Sequence, residues 1–329
     1  MVHEDRRVTF SIYVPEASKV TLLDGNLVEF LGNPKEMIKG DNGVWSLTVG
    51  PLEPGIYDYG FSIDGSPRNP DPANRNLIRR TWGFTSYVEV PGDAPRFDSI
   101  RDVPHGTVSQ HTYHSKSVNA IRQFRVYTPP GYENGSATYP VLYLLHGGGG
   151  GETQWTTVGR ADAILDNLIA DRKAVPMVVV MPYGHVPQRE GGNATDDFER
   201  DLLNDVKPIV EKLYRVKTDR ASRAIAGLSM GSGQALHIGL GHLDMFSDIG
   251  VFSGGGRNLG DVDANQINSK LKVFYIGCGK ADFVFESASA LDKLLTDKGI
   301  KHHFTVTEGG HTWANWRHYL NEYAPMLFR

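Results

Sequence analysis

The chain has almost no cysteine: Cys278 stands alone among 329 residues, so no intramolecular disulfide can form. That is neutral on compartment, because cytosolic proteins and many bacterial secreted ones both do without disulfides. No stretch approaches the about 18 consecutive apolar residues of a transmembrane helix. The start, Met1-Val2-His3-Glu4-Asp5, lacks the apolar core of a signal peptide. A mature form without its leader and a cytoplasmic protein both stay open. Long basic runs are missing too, and the formal net charge is -4, so neither a nucleic-acid nor a membrane partner is expected. Internal repeats and low-complexity tracts are absent. His111-Thr112-Tyr113-His114 offers two histidines without a third ligand, so no metal is expected there. Oligomeric state is left open.

Residues 1–95 read as short strands. Val8 to Val14 alternates apolar and polar residues at period two, and Lys19 to Leu23 does so more loosely. Val44 to Val49 and Ile56 to Ile63 follow, with turn signals at Asp24-Gly25-Asn26, Asp41-Asn42-Gly43 and Asp64-Gly65-Ser66. This spacing predicts a small all-β sandwich. Residues 96–105 are expected as a linker, after a stretch rich in Pro and Gly.

From 106 to 329 the pattern becomes α/β. Tyr139 to Leu145, Val178 to Met181, Ala224 to Ala226 and Leu271 to Ile276 are near-continuous apolar runs, as in strands buried on both faces. Phe198, Leu202, Leu203, Val206, Ile209, Val210 and Leu213 keep helical spacing between two of them. A doubly wound sheet is the expected architecture.

Gly227-Leu228-Ser229-Met230-Gly231 is Gly-x-Ser-x-Gly, set between the strand-like Arg223 to Ala226 and a helical stretch from Ser232 to Leu240. In that context the serine sits on a tight strand-to-helix turn with its hydroxyl exposed. A serine hydroxyl needs a base, and the base an orienting carboxylate. His311, in Glu308-Gly309-Gly310-His311, follows the strand-like His303 to Thr307 and is the expected base. His302 and His303 lie at the wrong end of that strand. His237 is expected to pack within the helix after Ser229, His242 follows that helix with no strand before it, and His318 lies on a final helix. Asp282 follows the strand near 271–276 and is the expected acid, with helix capping as its competing use; Asp261 and Asp263 are weaker candidates.

Leu145-His146 opens a run of five glycines, Gly147 to Gly151, directly after a core strand. Such a loop can present backbone N–H groups without side-chain obstruction. Gly148 and Met230 are the expected oxyanion donors, with Gly149 as the alternate. The run lacks the spacing of a dinucleotide loop and the Lys-Ser/Thr of a P-loop, so phosphate binding is not expected.

Taken together, these motifs resemble the esterase D-like enzymes of carbohydrate esterase family one, which include feruloyl and acetyl xylan esterases. The resemblance spans about 106–329 and rests on Leu144 to Gly149, Val178 to Pro182, Phe198 to Tyr214, Gly227 to Gly231, Gly279-Lys280-Ala281-Asp282 and Gly309 to Trp313. It implies an α/β-hydrolase fold, a Ser-His-Asp acyl-enzyme mechanism without metal or organic cofactor, and an esterified plant cell-wall polysaccharide as substrate. Feruloyl arabinoxylan is the first expectation, with acetyl xylan and siderophore lactones as alternatives. A thioester hydrolase or an acyltransferase is a further enzymatic alternative, and a glycan-binding scaffold with a dead hydrolase fold is the non-enzymatic one. A secreted or periplasmic location goes with such a substrate, with a cytoplasmic one open. Residues 1–95 resemble the immunoglobulin-like modules of some of these esterases and of α-glucan-branching enzymes, through Gly55 to Phe61, Asp64-Gly65 and Asn69-Pro70-Asp71-Pro72. A packing role is favoured there over sugar stacking by Trp45, Tyr57, Tyr59 or Trp82. Trp155, Trp313 and Gly149 are expected to contact substrate, and the polar stretch 184–197 to form a lip over the site.

Overall fold

The computed structural model describes residues 1–24, 35–92, 96–256 and 263–329. The chain divides into two compact units: Met1–Arg96, grouped with Thr312–Ala314, and Phe97–His311 with Asn315–Arg329. The turn read at Asp24-Gly25-Asn26 extends outside the described residues.

In the first unit, β1 (Val8–Tyr13), β5 (Val44–Val49) and β4 (Ile38–Lys39) form one antiparallel sheet in the order β1-β5-β4. The other comprises β2 (Val20–Asp24), β3 (Lys35–Glu36), β6 (Gly55–Ile63), β7 (Leu77–Arg80) and β8 (Gly83–Val90), ordered β3-β2-β6-β8-β7. Val8, Phe10 and Ile12 of β1 and Trp45 of β5 share a core with Val20, Leu22, Tyr57, Tyr59 and Phe61 of the second sheet. Period-two alternation along β1 delivers this inward face. β7 and β8 are additions to the sequence reading.

In the second unit, an eight-stranded sheet runs β16-β15-β14-β13-β11-β12-β10-β9. Its strands are β9 (Thr107–Ser115), β10 (Ala120–Thr128), β11 (Val141–Leu145), β12 (Val178–Pro182), β13 (Arg223–Leu228), β14 (Asp248–Phe252), β15 (Val273–Gly279) and β16 (His303–Thr307). β9, β10 and β12 pair antiparallel, and every pair from β12 through β16 is parallel. This is the α/β-hydrolase sheet. β11 to β15 are buried at every position, which is why they read as unbroken apolar runs, whereas β9 alternates. The chain goes one way from β11 to β12 and the other way from β13 to β16. The order therefore reverses between β11 and β13, and ligands of open α/β sheets gather at the carboxyl ends beside such a reversal.

The helix expected around Phe198–Leu213 is present but not uniform. A π-helical segment, Leu202–Val206, joins Ala194–Asp201 to Lys207–Leu213. Its extra residue per turn rotates the apolar stripe, and Leu213 ends up exposed. The stretch 184–197, expected as a lip, is not wholly a loop, because its last residues, 194–197, are helical. Residues Phe97 to Ser99, read as linker, are bound to the second unit. Asn167 Nδ2 donates to the carbonyls of Phe97 and Ser99, and Asp98 forms a fully buried ion pair with Arg317 at 2.6 Å.

Asp248, at the amino end of β14, is fully buried, and burial pushes its carboxyl up to about 6 despite a hydrogen bond from Ser247 Oγ. A carboxyl with a raised folded-state pKa contributes its stability below the unfolded value and loses it as pH rises through about 6. Asp248→Asn should therefore be more stable than the wild type at pH 8, by up to about 3 kcal/mol, with the gain vanishing by pH 4. Urea unfolding at both pH values measures this; equal stability at pH 8 would contradict it.

Candidate active site

Ser229 caps the helix Met230–Gly241 with φ 53° and ψ -117°, a conformation that L residues rarely adopt. The crossing leaves no room for side chains on either side. A Cβ on Gly227 would lie 2.4 Å from the Gly231 carbonyl oxygen, and one on Gly231 would lie 2.5 Å from that of His146. Both flanking glycines of the motif are thus required by close approach of backbone to backbone. The Ser229 N–H donates to Phe252 O at 2.9 Å, which fixes the turn to the end of β14.

The glycine loop after β11 packs on this turn. A Cβ on Gly147 would come within 3.2 Å of Ser229 Cβ, and one on Gly148 within 4.0 Å of Met230 Cβ. The structure therefore places Gly148 beside Met230, with Gly148 exposed to solvent. Gly149 adopts φ 68°. Gly147, just before them, is the loop residue that meets Ser229 itself.

His311 and Asp282 meet at the ends of β16 and β15. His311 Nδ1 lies 3.0 Å from both carboxylate oxygens of Asp282. An acceptor-only carboxylate there makes Nδ1 the protonated nitrogen and leaves Nε2 with a free lone pair. The Asp282 side chain is wholly buried. Burial alone would raise its pKa, but hydrogen bonds from His311, Ser253 and the Val284 N–H hold it below the ordinary carboxylate value. The helix after it is capped by Val284, so Asp282 is not that helix's N-cap. Asp263 caps the helix Ala264–Lys270 through the Asn265 N–H; Asp261 lies outside the described residues. His302 pairs with Asp292 and His318 with Glu322. His237, expected to pack, is instead half-exposed and lies 2.9 Å from Glu199, which also holds His242.

Several contributors escape the sequence reading. Ser253, buried directly after β14, accepts from Trp316 Nε1 at 2.8 Å and donates to Asp282. The Trp316 ring also meets His311 edge-on at 5.0 Å. Strand β14 was not anticipated, so Ser253 had no place; the signal was Phe252-Ser253-Gly254-Gly255-Gly256, a glycine cluster ending an apolar run like those after β11 and β13. Phe283 is 79% exposed, with its ring 4.5 Å from that of His311.

Two expected substrate contacts are corrected. Trp155 is 1% exposed, and its indole N–H donates to Leu145 O, so it belongs to the core beneath the glycine loop. Trp313 is 5% exposed, too little for a contact surface. Large apolar faces at these positions gain more from burial than from solvent.

Comparison with known proteins agrees with this geometry. Residues 115–260 match the esterase family. The chain is 33% identical over its whole length to the endo-1,4-beta-xylanase/feruloyl esterase of Xylanibacter ruminicola, of which it covers 46%. It is similar in structure to a ferulic acid esterase (TM-score 0.62, 27% identity, 67% of this chain and 97% of that one). It also shares its fold with the enterobactin esterase of Shigella flexneri (TM-score 0.70, 17% identity, 97% of this chain and 92% of that one). The chain spans about half or less of the length of the first curated relatives it matches, with 46%, 54% and 23% covered.

Positive φ at Ser229 predicts a stability cost for carrying a Cβ there. Ser229→Gly should be more resistant to urea than Ser229→Ala by about 1 kcal/mol, although both remove the hydroxyl. Equal midpoints for the two variants would show that the turn is unstrained.

Proposed function

We propose that this chain is a serine carboxylesterase acting on esterified plant cell-wall polysaccharide, with feruloyl arabinoxylan as substrate. One observation carries the reading: the strained Ser229 turn and the Asp282–His311 pair are both fastened to the end of β14, through Phe252 O and Ser253 Oγ respectively. Ser229 is the nucleophile, His311 the general base and Asp282 the group that orients it. Oγ attacks the ester carbonyl while His311 Nε2 takes its proton. The carbonyl oxygen becomes an oxyanion facing the N–H groups of Gly148 and Met230, with Gly149 as alternate. Collapse breaks the bond to the leaving oxygen, which receives the proton from His311. Water, deprotonated by the same imidazole, then releases ferulate and restores Ser229. The feruloyl assignment is supported by the names of the relatives just given, and acetyl xylan is the competing substrate.

Because His311 hands its proton to the leaving oxygen, the surface beside its imidazole borders the leaving alcohol. Phe283 occupies that surface, and its open ring suits the face of a sugar. Phe283 takes the substrate role expected of Trp155 and Trp313.

The first unit is read as an immunoglobulin-like module, on its two facing antiparallel sheets. Trp45, Tyr57 and Tyr59 are core residues and only Trp82 of the four candidate aromatics is open, at 59%, which favours packing over glycan binding. No helix among the described residues is long and apolar enough to cross a membrane. A polysaccharide substrate goes with a secreted or periplasmic location.

Hydrolysis of methyl ferulate and of acetylated xylan by the wild type and Ser229→Ala tests the reading. Ferulate release by the wild type, lowered about four to six orders of magnitude in the variant, is expected. Acetate release alone would move the substrate to acetyl xylan; full activity in Ser229→Ala would refute the nucleophile. Phe283→Ala should lose about three- to tenfold more kcat/KM on a feruloylated arabinoxylo-oligosaccharide than on methyl ferulate. Equal losses on both would remove Phe283 from the sugar side.

A further inference from the structure

The glycine loop is held from behind by a set of buried polar groups that neither the nucleophile nor its base touches. His146, 1% exposed, makes two hydrogen bonds. Its Nδ1 lies 2.8 Å from Gly147 O, and its Nε2 lies 2.8 Å from the amide nitrogen of Gly184. An amide can only donate, so Nε2 accepts and Nδ1 carries the proton: the ring is neutral and its tautomer is fixed from both ends. Burial keeps it neutral, lowering its pKa to about 4. The imidazole is thus a crosspiece between the loop after β11 and the loop after β12.

The far side of the crosspiece is itself fastened. Gln234 Nε2, on the helix after Ser229, donates to Gly184 O at 2.9 Å. Arg122, on β10, donates through Nη1 to His185 O at 2.7 Å and through Nη2 to Tyr183 O, so its fork grips the carbonyls of the residues on either side of Gly184. Arg122 Nε donates at 2.8 Å to Asp201 Oδ2, which also accepts from Tyr113 OH. Arg122 and Asp201 are almost wholly buried. Asp201 closes the helical segment just before the π-helical turn, so that turn begins where the carboxylate meets Arg122. A guanidinium presents two donors in one plane to two carbonyls, a geometry that an ammonium cannot copy.

We propose that Arg122 and His146 are positioning residues for the oxyanion site, holding the amide of Gly148 in place through Gly184 and Gly147. This rests on the hydrolase reading above. Donors that are already aimed stabilise the transition state far more than the ground state, so loosening them lowers kcat and leaves KM nearly unchanged.

Arg122→Lys and His146→Asn test it, assayed on p-nitrophenyl acetate and on its thionoacetate, in which sulfur replaces the carbonyl oxygen. Sulfur is larger and a weaker acceptor, so a tight oxyanion site prefers the oxygen ester. Both variants should lose about ten- to a hundredfold in kcat on the oxygen ester, with KM within about twofold, and should show a reduced oxygen-to-sulfur rate ratio. General damage to the fold slows both esters by the same factor. An unchanged ratio in a variant that unfolds cooperatively overturns the proposal and leaves the esterase reading intact. If Arg122→Lys does not fold, His146→Asn decides alone, since it removes no charge. A wild type inactive on the oxygen ester would overturn the hydrolase reading and this proposal with it.

Discussion

Everything at the site follows from how closely three pieces of backbone cross at Ser229. The end of β13, the first turn of the following helix and the loop leaving β11 approach until a methyl group at Gly227, Gly231 or Gly147 would fall inside van der Waals contact. Only glycine fits at these crossings, and the serine between them is driven to positive φ. That backbone turns the chain from strand into helix at Ser229. It also sets the Met230 amide in the first turn of a helix, whose N–H groups have no acceptor within that helix. The glycines thus do more than permit a turn. They bring the loop after β11 against the Ser229 turn, with Gly148 beside Met230.

The same end of the sheet holds His311 and Asp282. β14 lies between β13 and β15, and its carboxyl end faces both ways: Phe252 O receives the Ser229 amide, and Ser253, the residue after it, reaches Asp282 through Oγ. Serine and carboxylate are therefore indexed to one strand. Trp316 extends the connection, since its indole donates to Ser253 while its ring edge bounds His311. Asp282 remains ionised inside the protein because each of its neighbours donates to it. Without them burial would favour the neutral acid, which could no longer accept from Nδ1.

The parts visible in the sequence are those in which local rules and tertiary structure agree. β11 and β12 announce themselves because burial on both faces makes every position apolar. Ser229 stands out because close crossing demands glycine at fixed offsets. Asp282 and His311 could be placed because each follows a strand. What stayed hidden depended on partners distant in sequence. β14 is short and interrupted by Gly250, whose missing side chain makes way for the Tyr323 ring. Trp155 looked like a cleft wall by its place after the glycine loop, yet its indole turns under that loop to Leu145 O. Leu213 kept helical spacing on paper and lost its core position to the π-turn. Arg122 carried no signal, since a polar residue in a strand that pairs at a sheet margin is ordinary until Asp201 and the β12 loop are found around it.

His146 and His311 show how one side chain is put to two uses by its surroundings. Both have Nδ1 fixed by an acceptor. For His311 the acceptor is an ionised carboxylate, and Nε2 has no donor opposing it among the hydrogen bonds that place the ring. For His146 the acceptor is a neutral carbonyl, Arg122 contributes like charge nearby, and an amide already occupies Nε2. A proton arriving there would turn that accepting nitrogen into a donor facing a donor. One ring faces a carboxylate and keeps its second nitrogen clear of an opposing donor among those bonds. The other is kept neutral by burial with both ring nitrogens engaged, and both histidines follow strands at the same carboxyl end of one sheet.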